Sequence, residues 1–84
     1  MDFYGFGAHV EEKGVTFRTF APSASRITLI GEFNDWQEWE MNKVSDGNFW
    51  ECYVPQAKSG QMYKYKIYDR NGNILATSQK VYSV

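Results

Sequence analysis

Met62-Tyr-Lys-Tyr-Lys-Ile-Tyr68 alternates strictly, with Tyr63, Tyr65 and Ile67 facing one way and Lys64, Lys66 and Tyr68 the other. A period of two in aromatic and β-branched residues marks a strand buried on one face. An extended segment cannot satisfy its own backbone donors and acceptors, so it requires neighbours. The rest of the chain offers them. Residues 15–20 alternate, with Val15, Phe17 and Thr19 on the apolar side. Residues 49–54 do the same with Trp50, Cys52 and Val54, and Pro55 ends that run. Residues 26–33 place Ile27, Leu29 and Phe33 on one face, with Gly31 between them where a ring or a backbone can come close. Shorter strands are expected at 8–11 and 41–44, the latter at a sheet edge, and a last strand at 74–81. Turns are expected at 12–14, at the proline-bearing 21–25, at 46–48 and at Asp69-Arg-Asn-Gly72, with a loop at 57–60. No segment carries a helical period. Short strands at this spacing define an all-β antiparallel sandwich or barrel.

Size and charge narrow the function. The 84 residues suffice for one domain, residues 1–84, and an aromatic share of 18% supplies much burial per residue. The net charge is −1 and no basic stripe is present, which argues against nucleic acid or a membrane surface as partner. No apolar run approaches membrane-spanning length, so the chain reads as soluble. Cys52 is the single cysteine, which rules out an internal disulfide and favours a cytoplasmic setting. Because Cys52 alternates with Trp50 and Val54, it reads as an inert core thiol.

Catalysis finds no support. Hydrolysis by a carboxylate pair needs two acids about 5–10 Å apart across a cleft. The acids here fall in turns and on outward strand positions, where they read as solvated surface. His9 and Cys52 have no partners at metal-ligand or nucleophile spacing, so neither a metal nor a cofactor is expected. The chain by itself is read as non-catalytic.

The feature left over is Gly31-Glu-Phe-Asn-Asp-Trp36-Gln-Glu-Trp39. Tryptophan is costly to expose, yet two of them stand where the chain turns, and turns carry function. Trp36 offers a flat ring for the apolar face of a ligand, while nearby polar groups can serve its polar edge. The order of motifs then extends the reading. Gly7-Ala-His-Val10, Val15-Thr-Phe-Arg-Thr-Phe-Ala-Pro-Ser-Ala24, Gly31-Glu-Phe-Asn-Asp-Trp36, Trp50-Glu-Cys-Tyr-Val-Pro55 and Tyr63-Lys-Tyr-Lys-Ile67 together resemble the family-48 carbohydrate-binding modules. The closest look is to the module preceding the barrel of bacterial 1,4-α-glucan branching enzymes.

The resemblance implies an immunoglobulin-like antiparallel β-sandwich of about seven short strands, cut from a larger enzyme of glycogen biosynthesis. It implies weak binding of α-1,4-glucan (glycogen, starch or malto-oligosaccharide) and a catalytic barrel as the second partner. Trp36 matches the family's stacking tryptophan, and Lys64 its hydroxyl-binding lysine. Asn73 is expected to supply an amide, and Trp39 and Tyr68 to extend the platform. Glycan-binding members carry a second tryptophan in the hairpin where this chain has Asn71, Gly72, Asn73 and Ile74. The competing expectation is a structural or protein-interaction sandwich without glycan binding, with Trp36, Trp39, Phe3, Tyr4 and Phe6 buried against a partner domain.

Overall fold

The computed structural model of the chain describes residues 7–44, 48–77 and 82–84, with the side chains of Ala76 and Thr77 left aside. The lead-in aromatics Phe3, Tyr4 and Phe6, the turn at Asp46 and Gly47, and Val81 at the end of the last expected strand lie outside the described residues. Among those described, nine strands run in order: β1 (Gly7–Glu11), β2 (Gly14–Phe20), β3 (Arg26–Gly31), β4 (Trp39–Glu40), β5 (Asn42–Lys43), β6 (Phe49–Val54), β7 (Met62–Tyr68), β8 (Ile74–Thr77) and β9 (Tyr82–Ser83).

They form two antiparallel sheets that pack as a sandwich. The first has the order β1-β2-β6-β5. The second has the order β4-β3-β7-β8, and β9 joins it by pairing with β7 beyond β8. The three segments with the clearest alternation, β2, β6 and β7, lie at the centre of these sheets. Their apolar positions meet between the layers: Val15 and Phe17 from β2, Ile27 and Leu29 from β3, Trp50, Cys52 and Val54 from β6, and Tyr63 and Tyr65 from β7. Phe17 stands edge-on to Tyr63 with ring centroids 4.8 Å apart, a favoured aromatic arrangement. The indole of Trp50 donates to the carbonyl of Ala21 at 3.3 Å, so this buried ring keeps its one polar atom satisfied. Burial pushes the Cys52 thiol up, away from the reactive thiolate, as befits a core residue.

Two boundaries differ from the expectation. β3 ends at Gly31 rather than at residue 33, and Glu32–Asn34 forms one turn of 3-10 helix. Phe33 still reaches the core, against Phe17 at 5.0 Å, but from a helical turn and not from a strand. A Cβ on Gly31 would lie 2.5 Å from the Phe33 ring and 2.9 Å from the Met62 carbonyl, so the close approach read at this glycine is real. The edge strand expected at 41–44 is two short strands instead. β4 pairs with β3, β5 pairs with β6, and Met41 between them crosses from one sheet to the other. Met41 is buried, and its amide donates to the Ile27 carbonyl at 2.9 Å. The return strand after β7 is described over residues 74–77, with a register shift beside Ile67 and Tyr68, and the rest of its expected span lies outside the described residues.

Candidate functional site

Strand β3 is covered on both faces. Ile27 and Leu29 point into the sandwich, whereas Thr28 and Ile30 point outward, yet Thr28 is 0% and Ile30 6% exposed. The segment between β3 and β4 folds back over them. Its path starts at Asn34, whose side chain is buried. Asn34 Oδ1 accepts from the Gly31 amide at 3.0 Å, and its Nδ2 donates to the Leu29 carbonyl at 3.2 Å. The Glu32 carboxylate accepts from the Met62 amide at 2.7 Å and ties the same turn to β7. Trp36 N donates to the Gly31 carbonyl at 2.9 Å, and Gln37 N to the Asn34 carbonyl at 3.2 Å.

Two successive residues, Asp35 (φ 58°) and Trp36 (φ 61°), take the left-handed conformation. Aspartate tolerates that region, but a bulky aromatic enters it only when its surroundings force it there. The outcome is an indole 45% exposed at the edge of an open groove of about 560 Å³. It is lined by Ile30 of β3, by Trp36, Gln37 and Glu38 of the segment that follows, and by Lys64, Tyr65 and Lys66 of β7. The register places Ile30 directly across from Lys64, Thr28 from Lys66 and Arg26 from Tyr68. Lys64 makes no ion pair among the described residues, so its ammonium is available to a ligand.

The Tyr68 end of this face is densely paired. Glu38 Oε1 accepts from the Tyr68 hydroxyl at 2.5 Å and from Thr28 Oγ1 at 2.9 Å. Its other oxygen lies 3.6 Å from Lys66 Nζ. The Tyr68 bond first, helped by Thr28 and then by Lys66 and Arg26, holds the Glu38 carboxyl below its usual range, while partial burial opposes the shift. The same bond pushes the Tyr68 hydroxyl up. Arg26 stacks 4.7 Å above the Tyr68 ring and pairs with Glu40.

Of the residues singled out in the sequence, Trp36 and Lys64 line the same groove. Tyr68 shares their face and connects to the groove through Glu38. Trp39 lies opposite Leu29 and packs on the core from the inner side, so its indole is turned away from Trp36. Asn73 is exposed in the turn that Asp69 closes by accepting from the amides of Asn71 and Asn73 at 2.8 and 2.9 Å. That turn follows Tyr68, four strand residues or about 13 Å from the Lys64 row. Asn73 therefore does not line the groove. Ile30, Gln37, Glu38 and Lys66 do line it and carried no functional expectation. Ile30 had a legible signal, an apolar residue on the outward side of its strand. Glu38 had none, because its role depends on a tyrosine 30 positions later.

A larger cleft of about 720 Å³ lies at one end of the sandwich, between the turn at Glu12 and Lys13 and the loop around Ala57. No tryptophan lines it. The groove beside Trp36 joins a flat exposed ring to free polar groups, which is what a pyranose requires. Among the described residues there is no cluster of three or more histidine, cysteine or acidic side chains placed to hold a metal, and no helix long and apolar enough to cross a membrane.

This architecture and motif order define a recognised class. Residues 5–82 match carbohydrate-binding module 48, described as the isoamylase N-terminal domain, and the chain belongs to that family. It is 39% identical over 79 residues to the 1,4-alpha-glucan branching enzyme GlgB of Geobacillus stearothermophilus, across 87% of this chain and 12% of that protein. It is 36% identical over 76 residues to GlgB of Bacillus cytotoxicus, across 83% and 12%. It is 38% identical over 66 residues to GlgB of Jannaschia sp., across 79% and 9%. The chain thus spans about a tenth of the length of these relatives. A crystal structure of a Salmonella typhimurium protein provisionally assigned as an alpha-amylase shares the fold, with a TM-score of 0.65 and 21% identity over 82% of this chain and 11% of that one.

Proposed function

We propose that this chain is a non-catalytic, glucan-contacting module of a cytoplasmic enzyme that resembles 1,4-α-glucan branching enzymes. In this reading the groove beside Trp36 takes one or two glucose units of an α-1,4-glucan. The indole covers the apolar face of a ring, and Lys64 donates to its hydroxyls. The catalytic barrel would belong to the rest of the parent protein and would receive chains that the module holds nearby. The observation that carries the reading is Trp36 itself. An exposed tryptophan, held in a left-handed backbone conformation and sharing a groove with the apolar Ile30 and the unpaired Lys64, costs folding energy that the isolated fold does not return. Membership of a carbohydrate-binding family supports a sugar as the compensation.

Titration with maltoheptaose at millimolar concentration, followed by tryptophan fluorescence and amide chemical shifts, tests it. Wild type is expected to bind weakly, and Trp36→Ala to lose at least tenfold in affinity while staying folded. No shift with any α-glucan at millimolar concentration would sink the proposal. A second reading, a protein-interaction module, is favoured by the exposed Phe20 and Tyr53 on the outward face of the first sheet. That surface lies away from Trp36, so the two readings predict different perturbed residues: the groove with glucan, the first sheet with a protein partner.

A further inference from the structure

The segment that presents Trp36 is anchored on both sides, by different means. Upstream, the anchors are Asn34, Glu32 and the Trp36 amide, all bound to β3 or to the start of β7. Downstream, Glu38 makes no backbone–backbone hydrogen bond among the described residues before β4 begins at Trp39. Its side chain does the anchoring instead. One carboxylate oxygen accepts from Thr28 on β3 and from Tyr68 on β7, while the second faces Lys66 of β7. A single side chain thus fastens the segment to two neighbouring strands. Charge-assisted bonds of this kind are about twice as strong as neutral ones. A fastening is needed here, because Asp35 and Trp36 sit in a conformation that slack would allow to relax.

We infer that Glu38 is a positioning residue of the groove: by accepting from Tyr68 and Thr28 it fixes the Trp36 indole in the groove it shares with Ile30 and Lys64. This rests on the groove being the glucan site. It adds a requirement two residues from the stacking ring, met by a groove-lining carboxylate whose oxygens are taken up by Thr28 and Tyr68 on one side and Lys66 on the other. A ring fixed before binding spares the ligand the cost of ordering it, so the gain appears as affinity.

Three variants and two measurements test the inference. Glu38→Ala removes the acceptor, Glu38→Gln keeps an oxygen for Tyr68 and Thr28, and Tyr68→Phe removes one donor. The measurements are the maltoheptaose dissociation constant and the 15N relaxation order parameter of the Trp36 indole N–H in the unliganded protein. Glu38→Ala is expected to weaken binding about tenfold and to lower indole order from about 0.85 toward 0.6. Glu38→Gln should stay within about twofold of wild type in affinity and keep its order. Tyr68→Phe should weaken binding several-fold, and should add little on top of Glu38→Ala, because both act on one bond. Wild-type indole order in Glu38→Ala and Tyr68→Phe would overturn the inference, as would a loss in Glu38→Gln equal to that in Glu38→Ala. Trp36→Ala runs alongside. If it leaves affinity unchanged, or if wild type binds no glucan, the groove reading fails, while the order parameter still decides what Glu38 does.

Discussion

Trp36 and Trp39 stand three residues apart in one short segment, and the fold treats them in opposite ways. Trp39 is in β4, opposite Leu29, so the pleat turns its ring inward to the core. Trp36 comes before pairing begins, and two left-handed residues turn its ring outward to the groove. Composition is identical at the two sites. What differs is backbone geometry, imposed by Asn34 and Gly31 on one ring and by strand pairing on the other. The lesson is that a tryptophan in a turn motif is not a site until the turn's direction is known.

The contrast can be broken most easily through stability. Trp39→Ala should cost about 2 kcal/mol in urea or thermal unfolding, since it empties space against the core, discounted because the ring is only half-buried. Glucan affinity should change little. An unfolding cost below about 0.5 kcal/mol would place Trp39 with Trp36 and erase the distinction. Trp36 should give the opposite signature. Trp36→Ala should change stability by no more than about 0.5 kcal/mol, and Trp36→Gly should be about 0.5–1 kcal/mol more stable than Trp36→Ala because glycine adopts the left-handed conformation without strain. Both should lose binding. If Trp36→Gly proves the less stable of the two, the strain assigned to this position is absent.

The smallest effect concerns pH. Glu38 is lowered in the fold, so the stability it contributes is fully present above its unfolded value near 4.5 and is lost as pH falls through the folded value. Tyr68 is raised, so its contribution is fully present below its unfolded value near 10.0 and is lost as pH rises through the folded value. The stability difference between wild type and Glu38→Ala should therefore be level between about pH 4.5 and 10.0 and shrink at both ends. A difference that stays constant through acid would show that Glu38 and Tyr68 are not coupled as the geometry has them.

The strands with strict alternation were legible residue by residue. Tyr63, Tyr65, Phe17, Trp50, Cys52 and Val54 are buried where period two put them. The groove was legible only in part. Trp36 and Lys64 could be named, because a turn motif and an alternating strand are local patterns. Ile30 was passed over because β3 was treated as buried on one face, whereas Thr28 and Ile30 on its other face are also covered. A near-continuous apolar run is the signature of a strand buried on both sides. Asn73 was placed with the site because a hairpin amide can serve a hydroxyl, and strand length separates it from Lys64.

What the sequence determined by itself is the all-β class, the inner faces of β2, β6 and β7, and the presence of a turn at Asn34 and Asp35. These follow from side-chain period and turn chemistry, which act over a few residues. What the tertiary structure decided is which way that turn points and what holds it. The chain crosses between sheets at Met41, Trp39 is spent on the core, and the Glu38 carboxylate meets Tyr68 from a strand 30 residues away. Those outcomes depend on pairing register and on non-local hydrogen bonds, and no local pattern encodes them. The difference between a buried ring and an offered one was settled at that level.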